Sequence, residues 1–286
     1  MKQLIITADD FGLSNGVNKA IEQGWKNGLL TVASIMPGAP AFAEAVKISR
    51  RNPGLQVGLH LTLVQGRSVL PPAEIPALVD ADGNFSNHPV RAGIRYFLDR
   101  GLYCQLKREI EAQIKKVLDA GIALSHIDGH LNIHLHPTVL RILVELMPRY
   151  GISTFRLAQE RLAENLRFDG QRKLGKMLEN LIFASLVDHA RPELDHIGVQ
   201  YAAEVKGVLN SGRMTEEYVL TILDSIRDGL TEIYFHPGIL PDAEISRRMP
   251  DYRHQEELAA IISPAVRERL KALQIQLQNY RGEMKC

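Results

Sequence analysis

An α/β fold with parallel strands, arranged as an irregular or incomplete (β/α) barrel, follows from three features of the sequence. Short β-branched runs alternate with amphipathic stretches along most of the chain, about seven strand-like runs can be counted, and the chemically active side chains fall where those runs end. A doubly wound open sheet uses the same alternation, but the number of runs favours a barrel.

The first unit is "LIITADDFGLSNGVNKAIEQGW". Leu4, Ile5, Ile6 and Thr7 form a strand-like run closed by Gly12 and Ser14, and Val17, Ala20, Ile21 and Trp25 then recur at helical spacing. "LLTVASIM" (29–36) precedes the helical "AFAEAVKISRR", and "QVGLHLTL" (56–63) precedes a long connection. In "QLKREIEAQIKKVLDAG" the residues Leu106, Ile110, Ile114, Val117 and Leu118 make one apolar stripe, which Gly121 is placed to end. "LSHIDGHL" (124–131) leads into "PTVLRILVELMPRYG", and "STFRLA", "HIGVQ" and "TEIYFHPG" supply the remaining strand-like runs. Thr215 is placed to cap a helix that Gly229 would end, and Ser263 with Pro264 reads as the N-cap and first residue of the final helix.

Two stretches interrupt the alternation. Residues 64–90 are proline-rich with a "DADGNF" turn and read as a long loop, and residues 159–192 read as a charged helical insertion. The expectation is one domain, residues 1–286, carrying both insertions. At 45% hydrophobic and 23% charged the chain is globular, and 34 basic against 33 acidic residues leave no electrostatic footprint for nucleic acid. The start is too soon acidic for a signal peptide and no apolar run is long enough to span a bilayer, which places the protein in the cytoplasm. Cys104 and Cys286 have neither disulfide nor metal spacing and read as incidental.

Asp9 and Asp10 stand together at a strand end. One capping aspartate would be ordinary there, but the second charge needs a cation or a metal. In a parallel α/β architecture the C-terminal strand ends converge, so Asp9, Asp10, His60, His130 and His236 can meet around one point. Carboxylate plus imidazole suits a divalent transition metal, most naturally zinc, with room for nickel, cobalt or manganese. His134 and His136 are open between metal and substrate contacts, because Gly129, Asn132 and Pro137 argue against one helix carrying His130 and His134. His136 and His126 are the first candidates for bystanders, and His88, His189, His196 and His254 read as surface residues.

"TADDFGLS", "VGLHLTL", "SHIDGHLNIHLHP" and "YFHPG", in this order over nearly the whole chain, resemble the YdjC-like carbohydrate deacetylases, which include the chitooligosaccharide deacetylases. The resemblance implies a distorted TIM-like (β/α) barrel and metal-dependent hydrolysis of an N-acetyl group on an amino sugar. By motif position Asp9 falls on the general base, Asp10, His60 and His130 on the metal ligands, and His236 on a histidine lining the catalytic site. Leu131 and Asn132 depart from the further histidines that the family often has there. "MPGAPAFAEAV", "GRSVLPPAEIPALVDADGNF" and "RAGIRYFL" look like the hopanoid-biosynthesis-associated subgroup, which implies an N-acetylglucosaminyl hopanoid as substrate.

In the chemistry this suggests, His236 is the candidate acid for the departing amine, and Asp128 orients an imidazole that binds the metal. Arg156, His134 and Thr62 are candidate substrate contacts, with a surface ion pair as the ordinary alternative for Arg156. One divalent ion, zinc or magnesium, is expected as cofactor. The expected partners are an amino sugar, lipid-linked in the hopanoid case, and weak association with the inner membrane surface through apolar residues of 64–79 and 177–187 rather than through charge. A homodimer is a further expectation. The competing readings are a glycosidase, which leaves the histidines unexplained, and a sugar- or metal-binding protein without activity.

Overall fold

The computed structural model describes residues 1–285, so Cys286 lies outside the described residues. Its strands are β1 (Lys2–Phe11), β2 (Val32–Ile35), β3 (Gln56–Leu61), β4 (Leu124–Gly129), β5 (Glu204–Lys206), β6 (Gly229–Phe235) and β7 (Gln276–Leu277). They form one all-parallel sheet in the order β4-β3-β2-β1-β6-β5, with β7 beside the first half of β1. Single parallel bridges continue the curve past β4, from Ile127 to Phe155 and from Thr154 to Gln200. Because 200–206 then runs into β5 beside β6, the ring closes as a distorted TIM-like barrel. The expected strands at 153–158 and 196–200 thus survive as isolated bridges, while β5 and β7 lie in segments that carry no run of β-branched residues.

The helices are α1 (Asn15–Asn27), α2 (Phe42–Arg51), α3 (Pro89–Leu98), α4 (Tyr103–Asp119), α5 (Pro137–Arg149), α6 (Leu162–Phe168), α7 (Lys173–His196), α8 (Glu216–Leu223), α9 (Ala243–Arg248), α10 (His254–Ile262) and α11 (Pro264–Ala272). Local chemistry sets several of their starts. The Ser14 hydroxyl accepts from Val17 N at 3.2 Å, Thr215 accepts from Tyr218 N, and Ser263 accepts from Val266 N with Pro264 as the first helical residue. Helix α8 stops at Leu223, earlier than Gly229 suggests. Gly229 adopts φ +104° and instead begins β6, opposite Lys2 of β1.

Residues 64–88 form a closed excursion. Two antiparallel bridges, Arg67 with Asn84 and Val79 with Phe85, hold its arms, and the buried Glu109 carboxylate on α4 accepts from Val69 N at 2.8 Å and Leu70 N at 2.9 Å. Val64, Ile75 and Leu78 are buried in the core. This excursion rests on the barrel rim where β3 ends. No helix among the described residues is long and apolar enough to cross a membrane.

Candidate metal and catalytic site

Adjacent residues on a regular strand point to opposite faces. Between Ala8, opposite Ala33, and Phe11, opposite Ile35, β1 holds one more residue than β2, and Asp10 sits at φ +63°. The bulge turns both aspartates into the barrel, where they are 2% and 1% exposed. Asp can occupy this left-handed region at modest cost, which most residues cannot.

Asp10 meets two imidazoles. Its Oδ1 lies 3.1 Å from His130 Nδ1 and 3.4 Å from His60 Nε2, and the donor atoms of Asp10, His60 and His130 all fall within 4.8 Å of one another. His60 is next to last in β3, and His130 follows β4 in a tight turn in which Leu131 and Asn132 have φ of 53° and 55°. That turn keeps His130 and His134 off a shared helical face. Burial works against the Asp10 carboxylate, yet His130 and His60 hold it well below the usual carboxylate range. Burial also opposes a charged His60, but Asp128 and Asp9 override it and push the ring up to about 10.

His60 Nδ1 donates to Asp128 Oδ1 at 2.8 Å, which leaves Nε2 aimed at Asp10. Asp10 Oδ2 and His60 Nε2 are both buried without a hydrogen-bond partner. Buried polar atoms are rarely left so, and a cation at this point would satisfy both. Charge leaves room for that ion: it would take the place of the His60 proton, in a group where one guanidinium, Arg156, lies among four buried carboxylates, Asp9, Asp10, Asp128 and Glu232. Two imidazoles and a carboxylate are a donor set that fits a divalent metal.

Asp9 is held differently. Arg156 grips it with two parallel bonds, Nη1 to Oδ2 at 2.8 Å and Nη2 to Oδ1 at 2.9 Å. The same guanidinium reaches Asp128 Oδ2 at 2.8 Å and Glu232 Oε1 at 2.9 Å through Nε, and lies 4.6 Å from the Tyr234 ring centre. Burial outweighs Arg156 and raises the Asp9 carboxyl above its ordinary value. Thr7 and Tyr280 complete the group by donating to the two oxygens of Glu232 at 2.8 and 2.6 Å. A second trio, Asp9, His60 and Asp128, also lies close enough to hold an ion, but Arg156 already bonds both of its carboxylates.

His236 follows β6. Its ring stands edge-on to Tyr252 at 5.1 Å, its Nδ1 is unpartnered, and burial pushes it down to about 3, so the resting ring is neutral. Helix α10 clamps its backbone from both sides: the Glu257 carboxylate accepts from His236 N, and His254 Nδ1 donates to His236 O at 2.7 Å. His254 is therefore buried, contrary to its surface reading, because its ring bonds the site loop.

Three candidate substrate contacts serve other partners. Arg156 is 1% exposed beneath Asp9, neither at the surface nor open to a ligand. His134, buried and held neutral by that burial at about 3, donates from Nε2 to Arg156 O at 2.8 Å. The buried Thr62 hydroxyl donates to His60 O at 3.0 Å while its amide donates to Gln113. All three position the residues around them. His136 binds Gly93 O on α3. His126 lies inside the barrel within 3.0 Å of Ser34 and 2.9 Å of Ser125, in space that a Cβ at Gly58 would invade. His88, His189 and His196 are exposed.

Ser34, His126, Glu232, Tyr234, His254, Glu257 and Tyr280 were not anticipated. For some the signal is in the sequence as a period of two: His126, Asp128 and His130 alternate through β4 and its end, as Glu232, Tyr234 and His236 do on β6. Each set lines the interior face.

A family model described as YdjC-like protein matches residues 3–272. A carbohydrate deacetylase of Thermoanaerobacter pseudethanolicus is 30% identical over 98% of this chain and 98% of its own length. One from Geobacillus stearothermophilus is 28% identical over 97% and 96%. Among solved structures, an Enterococcus faecalis protein described as a candidate for cellobiose-phosphate cleavage superposes with a TM-score of 0.77 at 26% identity, covering 98% of both chains.

Proposed function

The chain belongs to the YdjC-like family, and from that premise we propose that it is a carbohydrate N-deacetylase, a hydrolase that removes acetyl from an amino sugar with the help of one divalent metal. The observation that carries the reading is the pair of unpartnered buried atoms, Asp10 Oδ2 and His60 Nε2, beside the Asp9–Arg156 pair. Asp10, His60 and His130 would hold the ion. Two nitrogens and one carboxylate favour zinc or a neighbouring transition metal over magnesium, which prefers oxygen ligands. When bound, the ion lowers the pKa of water and polarises the amide carbonyl.

The protein's own groups perform the proton transfers. Asp9, its carboxyl raised by burial and fixed by Arg156, accepts the proton of the attacking water. Asp128 holds the Nδ1–H of His60, so its other nitrogen faces Asp10. His236 passes a proton to the departing amine. Its ring is neutral at rest, so the proton that it passes on is the one that Asp9 removed from the water, relayed to it before the amine departs.

The substrate within this class is an N-acetylglucosamine unit on an apolar, hopanoid-type aglycone. The single Trp25 is half-buried beneath Lys285 and offers no platform for stacking a second sugar. The runner-up is a chitooligosaccharide. The test is release of acetate and free amine from both substrates by metal-loaded and chelator-treated protein. The reading expects metal-dependent release with the apolar aglycone preferred. Release of shortened sugars would mark a glycosidase, no release a binding protein, and activity confined to chitobiose would remove the hopanoid substrate alone.

A further inference from the structure

Helix α3 carries its apolar residues on both faces. Ala92 and Tyr96 face the protein, and the opposite side presents Val90, Ile94, Phe97 and Leu98, which are 57% to 76% exposed. At 100° per residue these four cluster around the direction away from the buried pair. Single exposed apolar residues are ordinary, but a contiguous strip on the solvent side of a helix is not. Along one edge of the strip stand Arg91 and Arg95, with Arg100 just beyond. All three are exposed, and none joins an ion pair among the described residues; exposed Asp99, next to Arg100, is the acid among them and its side chain accepts from Gly101 N.

Helix α7 repeats the pattern with exposed Leu174, Met177, Leu178, Leu181 and Ile182. The end of α3 and the last turns of α7 line one cleft of about 970 Å³, with Phe97 and Leu98 on one side and His189 and Glu193 on the other. The apolar part of 177–187 is thus split, its first residues outward and Val187 in the core. The apolar part of 64–79 mostly packs inward, and α3 takes the outward role that the sequence suggested for it.

Charge selects among the occupants of such a face. A two-fold contact of α3 on α3 would set the arginines of both copies against each other. An anionic bilayer interface accepts an apolar strip at headgroup depth and arginines at the lipid phosphates. We propose that the outward face of α3 docks the protein on an anionic lipid surface. The docked helix is tied to the catalytic rim: His136, which follows the His130 turn, donates to Gly93 O, and Tyr96 donates to Leu63 O just past β3. This inference does not depend on which reaction the site performs.

The test is sedimentation of the full chain with vesicles of phosphatidylcholine alone and of phosphatidylcholine mixed with phosphatidylglycerol. The protein is expected to bind the mixed vesicles and to lose roughly fivefold in partition for each charge removed by Arg91→Gln and Arg95→Gln. Ile94→Ser with Phe97→Ser should abolish binding while thermal unfolding stays unchanged, since these side chains are already in solvent. Equal binding to both vesicle types, or to neither, overturns the proposal. A dimer in sedimentation velocity that the Ile94→Ser, Phe97→Ser variant dissociates, without vesicle binding, assigns the face to a second copy instead.

Discussion

Around Arg156 every buried carboxylate finds a donor, whereas around Asp10 two buried atoms find none. Both groups sit inside the same barrel and share Asp128 and His60 at their boundary. The contrast separates two uses of buried charge. A closed network fixes geometry and is costly to break, and an open one keeps its unpaired atoms for something that binds. Asp9 and Asp10 fall on opposite sides of that boundary although they are neighbours in sequence, and one left-handed residue in a bulge makes the separation possible.

The hardest way to break the closed group is Arg156→Met. It leaves Asp9, Asp128 and Glu232 without their cation, and removing one partner of a buried network costs about 3–5 kcal/mol. Chemical denaturation should show a loss of that size, and turnover should vanish in whatever fraction stays folded.

The clamp on His236 sharpens the comparison through pH. Burial pushes the Glu257 carboxyl up to about 7, from 4.5. A carboxyl whose folded pKa is raised binds more protons folded than unfolded, so its contribution to stability is complete below about pH 4.5 and is lost as pH rises through 7. The loss is on the order of 3 kcal/mol. Glu257→Gln should flatten this part of the stability profile between about pH 4.5 and 7; an unchanged slope would assign the pH dependence elsewhere.

A smaller break of the closed side is Gly58→Ala, whose added methyl meets the ring of His126. Overpacking of this kind costs about 1–3 kcal/mol, and a combined Gly58→Ala, His126→Ala variant should recover part of it. On the open side the expected effect is on binding. Asn tolerates the left-handed conformation of Asp10 as well as Asp does, so Asp10→Asn keeps the local backbone and should greatly weaken metal binding, which titration of the metal-free variant with zinc checks.

The open group was legible in the sequence and the closed one much less so. Asp9, Asp10, His60, His130 and His236 stand at strand ends within recognisable motifs, and the parallel order of the runs brings their ends together. Arg156, His134 and Thr62 stand at similar positions but point beneath the site, and their depth depends on barrel closure, which single bridges at Phe155 and Gln200 achieve. No run of β-branched residues marks such bridges. The period-two pattern on β4 and β6 was readable and would have placed Glu232 beside His236. Glu257 and His254 were not readable, because α10 reaches the site only through tertiary packing.

The account rests on the division between Asp9 and Asp10, and the metal content of two purified variants tests it most directly. Asp9→Asn should retain about one ion per chain, as is expected of the unsubstituted protein, yet release no acetate, since the proposed base is lost while Asp10, His60 and His130 remain. Asp10→Asn should be nearly metal-free. An Asp9→Asn protein without metal, or an Asp10→Asn protein that keeps it, would contradict the division and place Asp9 among the ligands.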